Sequence, residues 1–169
     1  SVSDSNNALA DLLTSRPINL NFLPGDSVYL SFYYQAKGRG DDPESQDSLV
    51  LEFQAPGQEW TVVWLRNGYE PANNDTVFRN VNIGITNPVF LKKGFQFRFK
   101  NYATVSGNLD HWHIDYVYLD KQRGLHDTIM DDVAFSFNAC SVLKNYEAMP
   151  WQQFNNSELR SRLNNYIRN

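Results

Sequence analysis

Residues 94–120 read GFQFRFKNYATVSGNLDHWHIDYVYLD, and this stretch decides the fold class. Phe95, Phe97 and Phe99 alternate with Gln96, Arg98 and Lys100, the period-two pattern of a strand with one buried face. The polar run Ser106-Gly107-Asn108 follows as a turn, and Trp112 to Leu119 forms a second strand. Strand, turn and strand make a central pair, and the rest of the chain reads as further strands added to it.

Working outward, the same alternation recurs. Pro24-Gly25-Asp26 is a turn signal. Ser27 to Ala36 then sets Val28, Leu30, Phe32 and Tyr34 on one face and Tyr29, Ser31, Tyr33 and Gln35 on the other. Asp47 to Gln54 buries Leu49, Leu51 and Phe53. Trp60 to Arg66 is apolar on both faces, which predicts a central strand under cover. Val77 to Ile85 turns Val81, Ile83 and Ile85 inward, and Val133, Phe135 and Phe137 make the last strand. Leu12 to Leu20 is a first strand, placed at an edge by Pro17. About eight strands joined by polar loops predict an all-β, two-sheet antiparallel β-sandwich of the jelly-roll kind. It spans residues 1–140, with Phe32, Phe53, Phe97, Phe99, Phe135 and Phe137 in its core.

Composition agrees. Aromatics at 14% of 169 residues suit pleated, half-buried surfaces. A net charge of −4 argues against nucleic acid or anionic lipid as the main partner. No apolar run approaches the roughly 20 residues of a membrane-spanning helix. The single Cys140 excludes an internal disulfide framework and reads as a small hydrophobe at a strand end. The chain opens SVSDSNN without an initiator Met, the mark either of processing or, the reading we take, of a segment from a longer protein. Residues 141–169 differ in kind and read as a linker-like tail, broken at Met149-Pro150-Trp151. Their Leu159, Leu163 and Ile167 fit a helix and a strand equally well.

The runs LPGDSVYLSFYYQAKGRGDDPESQDSLVLEF, EWTVVWLRNG and FLKKGFQFRFKNYATVSGNLDHWHIDYVYLD, followed by NYEAMPWQQF, resemble a module of large Bacteroidetes cell-envelope proteins. Such proteins often accompany type IX secretion or gliding motility, and the module is similar to MAM-like or concanavalin-like jelly rolls. The resemblance implies an extracytoplasmic, non-enzymatic domain, at the cell surface or secreted. Its partners would be other domains of the parent protein or other envelope proteins. It also implies that the tail, residues 141–169, leads toward a further domain and holds a strand within Glu158–Arg168, and it brings no catalytic residues with it.

Several side-chain groups could carry chemistry. Asp41, Asp42, Glu44 and Asp47 crowd one loop, a donor set for a structural Ca²⁺ or a plain solvated acidic loop. Arg39-Gly40-Asp41 within it is an integrin-type tripeptide, a match that chance alone often produces. His111, His113 and Asp115 alternate on one strand, about 7 Å apart, and suit a transition metal or simple hydrogen bonds to a neighbouring loop. The metal-dependent hydrolase this would imply lacks the further ligands such enzymes add. Tyr29 and Tyr33, with Gln96 and Arg98, offer rings and hydrogen-bonding groups to a glycan, unless another segment covers them. Asp-Ser/Thr-aliphatic triplets at Ser27, Ser48, Thr76 and Thr128 resemble the O-glycosylation pattern of Bacteroidetes envelope proteins. They are also ordinary turn chemistry before a strand. The leading functional expectation is a non-catalytic structural or protein-interaction module, without a cofactor beyond that Ca²⁺. A glycan-binding module comes second and a hydrolase third.

Overall fold

The computed structural model describes residues 7–37, 40–68, 77–105, 110–128, 134–135, 141–164 and 167–168, the strand pairs 134–135 and 167–168 by backbone alone. Ten strands run through it: β1 Asn7–Thr14, β2 Ile18–Asn19, β3 Tyr29–Ala36, β4 Ser48–Gln54, β5 Thr61–Asn67, β6 Arg79–Gly84, β7 Lys93–Thr104, β8 Trp112–Asp120, β9 Ala134–Phe135 and β10 Ile167–Arg168. The chain divides into two compact units, residues 1–128 and 129–169.

The first unit is an all-β sandwich of two antiparallel sheets. One has the order β1-β7-β4-β5, with β2 also on β7; the other has the order β6-β3-β8. The chain passes repeatedly from one sheet to the other, with β3, β6 and β8 in one and β4, β5 and β7 in the other. The alternation read from the sequence chooses the buried faces. Leu30, Phe32 and Tyr34 of β3 meet Leu49, Leu51 and Phe53 of β4 and Phe95 and Phe99 of β7. Phe32 lies edge-on to Phe99 at 4.9 Å and to Trp64 at 5.2 Å, the geometry aromatic quadrupoles favour.

The structure corrects the sequence reading in five places. First, β7 and β8 are not a pair. β7 bonds to β1, β2 and β4, whereas β8 bonds to β3 in the other sheet. Their apolar faces look at each other across the core, which satisfies the same alternation as side-by-side pairing would. Second, β5 is not central: among the described residues it ends its sheet, bonded only to β4. Its inner Trp64 packs on the core, while Val62 and Leu65 are 55% and 51% exposed.

Third, the expected first strand is two strands on β7. Pro17, which cannot donate to a ladder, falls in the break between them. Fourth, β9 pairs with β10 in the second unit instead of closing the sandwich. Fifth, Phe97 packs against the core but is only half-buried, between the fully buried Phe95 and Phe99 of the same strand. The side chains of Phe135 and Phe137, the turn at 106–108 and Cys140 lie outside the described residues.

In the second unit, Leu143 bridges Leu159 in antiparallel fashion, and Trp151–Gln153 and Asn156–Glu158 form 3₁₀ turns. Of the strand expected within residues 158–168, the described residues show β10, Ile167–Arg168. Among the described residues, no helix is long and apolar enough to cross a membrane.

Candidate functional site: the outer face of the five-stranded sheet

Residues opposite one another in an antiparallel sheet share a face, so the register lays out this surface directly. One row runs Leu12, Lys100, Val50, Leu65, and the next runs Thr14, Arg98, Glu52, Val62. At the centre lies Glu52, a carboxylate only 5% exposed. Its Oε2 accepts from Arg98 Nε at 2.5 Å and its Oε1 from Lys100 Nζ at 3.3 Å. Arg98 lies over the Trp60 ring at 4.1 Å, and Lys100 over Tyr102 at 4.9 Å. Each cation therefore sits between a carboxylate oxygen and the negative face of a ring. Hydrogen bonds to Tyr102 and Glu52 raise the Lys100 ammonium above its usual pKa, against the opposing pull of burial.

Around this charged centre the surface is apolar. Leu9, Leu12, Val62 and Leu65 are each between 43% and 55% exposed. Charge inside and aliphatic side chains outside is the reverse of a solvated sheet face, where charges occupy the water side.

The outer face of the three-stranded sheet is different. Tyr29, Ser31, Tyr33 and Gln35 of β3 point outward there, as predicted, but residues 121–128 run over them. Tyr33 Oη donates to Thr128 O at 2.7 Å, and Asn82 Nδ2 donates to Gly124 O at 2.9 Å. Arg123 Nη1 reaches Tyr118 O at 3.1 Å, while its Nε pairs with Asp127 Oδ2 at 2.6 Å. Tyr29 lies over Gly84, and both tyrosines are half-buried. Gln96 and Arg98 belong to the other sheet, where Gln96 Nε2 donates to Ser15 O at 2.8 Å. The four residues considered for a glycan thus lie on opposite outer faces of the sandwich and form no single site.

The acidic loop is partly brought together. Carboxylate oxygens of Glu44, Asp47 and Asp110 lie within 4.8 Å of one another, the one such His/Cys/Asp/Glu group among the described residues. Asp47 is fully buried, its Oδ1 accepting from Asn7 Nδ2 at 2.7 Å and its Oδ2 from the Glu44 N–H at 2.6 Å. Asp110 Oδ2 accepts from Thr104 N–H at 3.0 Å. A hydrogen bond with Asp47, burial and the nearby Asp110 charge push Glu44 up to about 7. Gly68 is required here: a Cβ on it would stand 1.9 Å from Glu44 O. Asp42 turns away to Lys37 Nζ at 2.9 Å, and Asp41 is exposed. Three carboxylates offer oxygen alone, the donor chemistry of a hard cation such as Ca²⁺. Asp110 could not be nominated from sequence, since nothing local joins it to the loop at 41–47.

His111 and His113 serve the same loop. His111 Nδ1 accepts from Asp41 N–H at 3.2 Å, and His113 Nε2 lies 3.2 Å from Lys37 O. Their rings stack 6.4 Å apart, and Gly40 fits because a Cβ there would enter the His111 ring. Asp115 Oδ1 accepts from the Tyr116 N–H next to it. The three side chains fasten backbone and do not converge. Of the triplet positions, Ser27 is exposed with φ +53°, Ser48 is half-buried in β4, Thr128 is exposed, and Thr76 lies outside the described residues.

Comparison with family models, curated proteins and solved structures finds no match to this chain.

Proposed function

We propose that this chain is a non-catalytic protein-interaction module of a bacterial surface or secreted envelope protein. Its outer five-stranded face receives another protein domain, from the same parent chain or from an envelope partner. One observation carries the reading: β5 is apolar on both faces, and the fold buries only one of them. Val62 and Leu65, with Leu12 across the sheet, form an aliphatic margin around a charged centre whose polar groups already bond to one another. A partner covering this surface gains apolar burial at about 25 cal/mol per Å² without having to re-pair Glu52. The resemblance to Bacteroidetes envelope modules supports an extracytoplasmic setting.

A structural Ca²⁺ belongs to the same reading. Glu44, Asp47 and Asp110 would hold it, in place of the wider set with Asp41 and Asp42.

Photocrosslinking tests the proposal. A benzophenone side chain at Leu65 or Leu12, in the parent protein in its own cells, should form a discrete crosslink to a protein partner or to another domain. The same group at Leu125, on the opposite side and 61% exposed, should not. Equal, diffuse labelling from all three positions would sink the idea.

A further inference from the structure

The loop from Leu143 to Leu159 is closed and stiffened by its own hydrogen bonds. At its neck, Arg160 N–H donates to Val142 O at 3.0 Å and Lys144 N–H to Glu158 O at 2.8 Å, flanking the Leu143–Leu159 bridge. Arg160 Nε adds a bond to Leu143 O at 2.8 Å, and Lys144 Nζ donates to Ser157 O. Within the loop, Asn155 Oδ1 accepts from Ser157 N–H at 3.0 Å and Phe154 N–H donates to Trp151 O at 3.2 Å. This is the build of an Ω-loop, a compact surface loop with its ends joined.

Such a loop would ordinarily fold its rings inward, yet Trp151 is 80% exposed, Tyr146 55% and Phe154 45%. Beside them is a cleft of about 430 Å³, lined by Tyr146, Met149 and Pro150 together with Gln153, Asn155 and Glu158. Its volume falls within the roughly 300–1,000 Å³ of small-molecule sites.

We infer that this cleft binds a neutral glycan. A pyranose presents an apolar C–H face, which stacks on an aromatic ring, and an edge of adjacent hydroxyls. Planar amide and carboxylate groups such as those of Gln153, Asn155 and Glu158 pair with those hydroxyls as donors and acceptors. Met149 and Pro150 add apolar contact, and Trp151 and Phe154 provide further rings on the same loop for a longer chain. The ligand is uncharged because Glu158 is the charged side chain among those lining the cleft, and neither Lys144 nor Arg160 lines it. An anionic sugar would meet like charge there. This site is separate from the sheet face proposed for protein docking.

Native affinity electrophoresis of the whole chain tests the inference, with β-glucan, galactomannan and xylan as neutral probes and polygalacturonate as the anionic control. At least one neutral polysaccharide should retard the chain. Trp151→Leu and Tyr146→Ala should each weaken that retardation about tenfold or more. Trp151→Phe should retain most of it, since a ring remains, and Leu125→Ala, at an exposed position outside both sites, should leave it unchanged. Circular dichroism checks that each variant folds. Should a variant misfold, amide NMR shifts of the unmodified chain on adding the retarding polysaccharide decide the matter, and they should cluster within residues 143–159. The inference is overturned by no retardation with any neutral probe, by retardation with polygalacturonate alone, by retardation that survives both Trp151→Leu and Tyr146→Ala, or by amide shifts lying elsewhere.

Discussion

Glu52→Gln should destabilise the sandwich by about 2 kcal/mol. Removing one partner of a fully buried ion pair costs about 3–5 kcal/mol, because the remaining charge is left desolvated. Here the side chains of Arg98 and Lys100 keep 21% and 14% of their exposure, so solvent screens part of the loss. Trp60 and Tyr102 still face the two cations, which reduces it further. Urea denaturation followed by tryptophan fluorescence would read the change as a lower midpoint at unchanged slope. A double-mutant cycle with Arg98→Met isolates the pair and should give a coupling of about 1–2 kcal/mol, since the two side chains touch. Replacing Glu52, Arg98 and Lys100 together by Leu, Met and Leu should leave stability within about 1 kcal/mol of the starting chain, because no unpaired charge then remains. A Glu52→Gln loss below about 0.5 kcal/mol with no coupling to Arg98 would show the charged centre to be solvated like any surface pair, and the description of this face would fail with it.

Phe32→Ala should cost about 3–5 kcal/mol by the same denaturation assay, whereas half-buried Phe97→Ala should cost less, about 1–3 kcal/mol. Glu44 titrates near 7 in the folded chain against 4.5 for the free side chain. The folded state therefore holds a proton that the unfolded state releases. The stability this gives is complete below the unfolded pKa and is lost as pH rises through about 7. Glu44→Gln should accordingly raise the melting temperature at pH 8 while changing it little at pH 4, and a pH-independent difference would refute the assignment. Ca²⁺ at pH 8 should raise the melting temperature in step with its concentration, and EDTA and Asp110→Asn should each abolish the rise. Stoichiometric zinc lost on substituting His111 and His113 by Ala would contradict the non-catalytic reading.

The sequence carried the buried faces clearly, because a strand's period of two depends only on which side of it is dry. Val28, Leu30, Phe32 and Tyr34 came out as read, and so did Leu49, Leu51 and Phe53. Strand neighbours were not legible: β7 and β8 meet face to face across the core, and the alternation is the same as for two strands side by side. β5 misled for a related reason. A strand apolar on both sides signals cover on both, and the cover over Val62 and Leu65 is not supplied by the described chain.

The sites were legible only in fragments. Glu44 and Asp47 are close in sequence, but Asp110 joins them through a loop return that no local pattern marks. Glu52 alternates with buried aliphatics and reads as an ordinary solvent-facing charge. Its burial depends on Arg98 and Lys100 arriving on β7. Residues 121–128 cover Tyr29 and Tyr33 as irregular chain fixed by Arg123 and backbone carbonyls, and irregular chain leaves no periodic signal.

Cysteine accessibility at β5 tests the docking face most directly. With Cys140 replaced by serine, Leu65→Cys gives a single thiol in the middle of the exposed apolar margin. A water-soluble maleimide should label it rapidly in the purified chain. In the parent protein on intact cells, the same thiol should react about tenfold more slowly or less, while a Leu125→Cys thiol reacts equally fast in both settings. Equally fast labelling of Leu65→Cys in both settings would contradict the account.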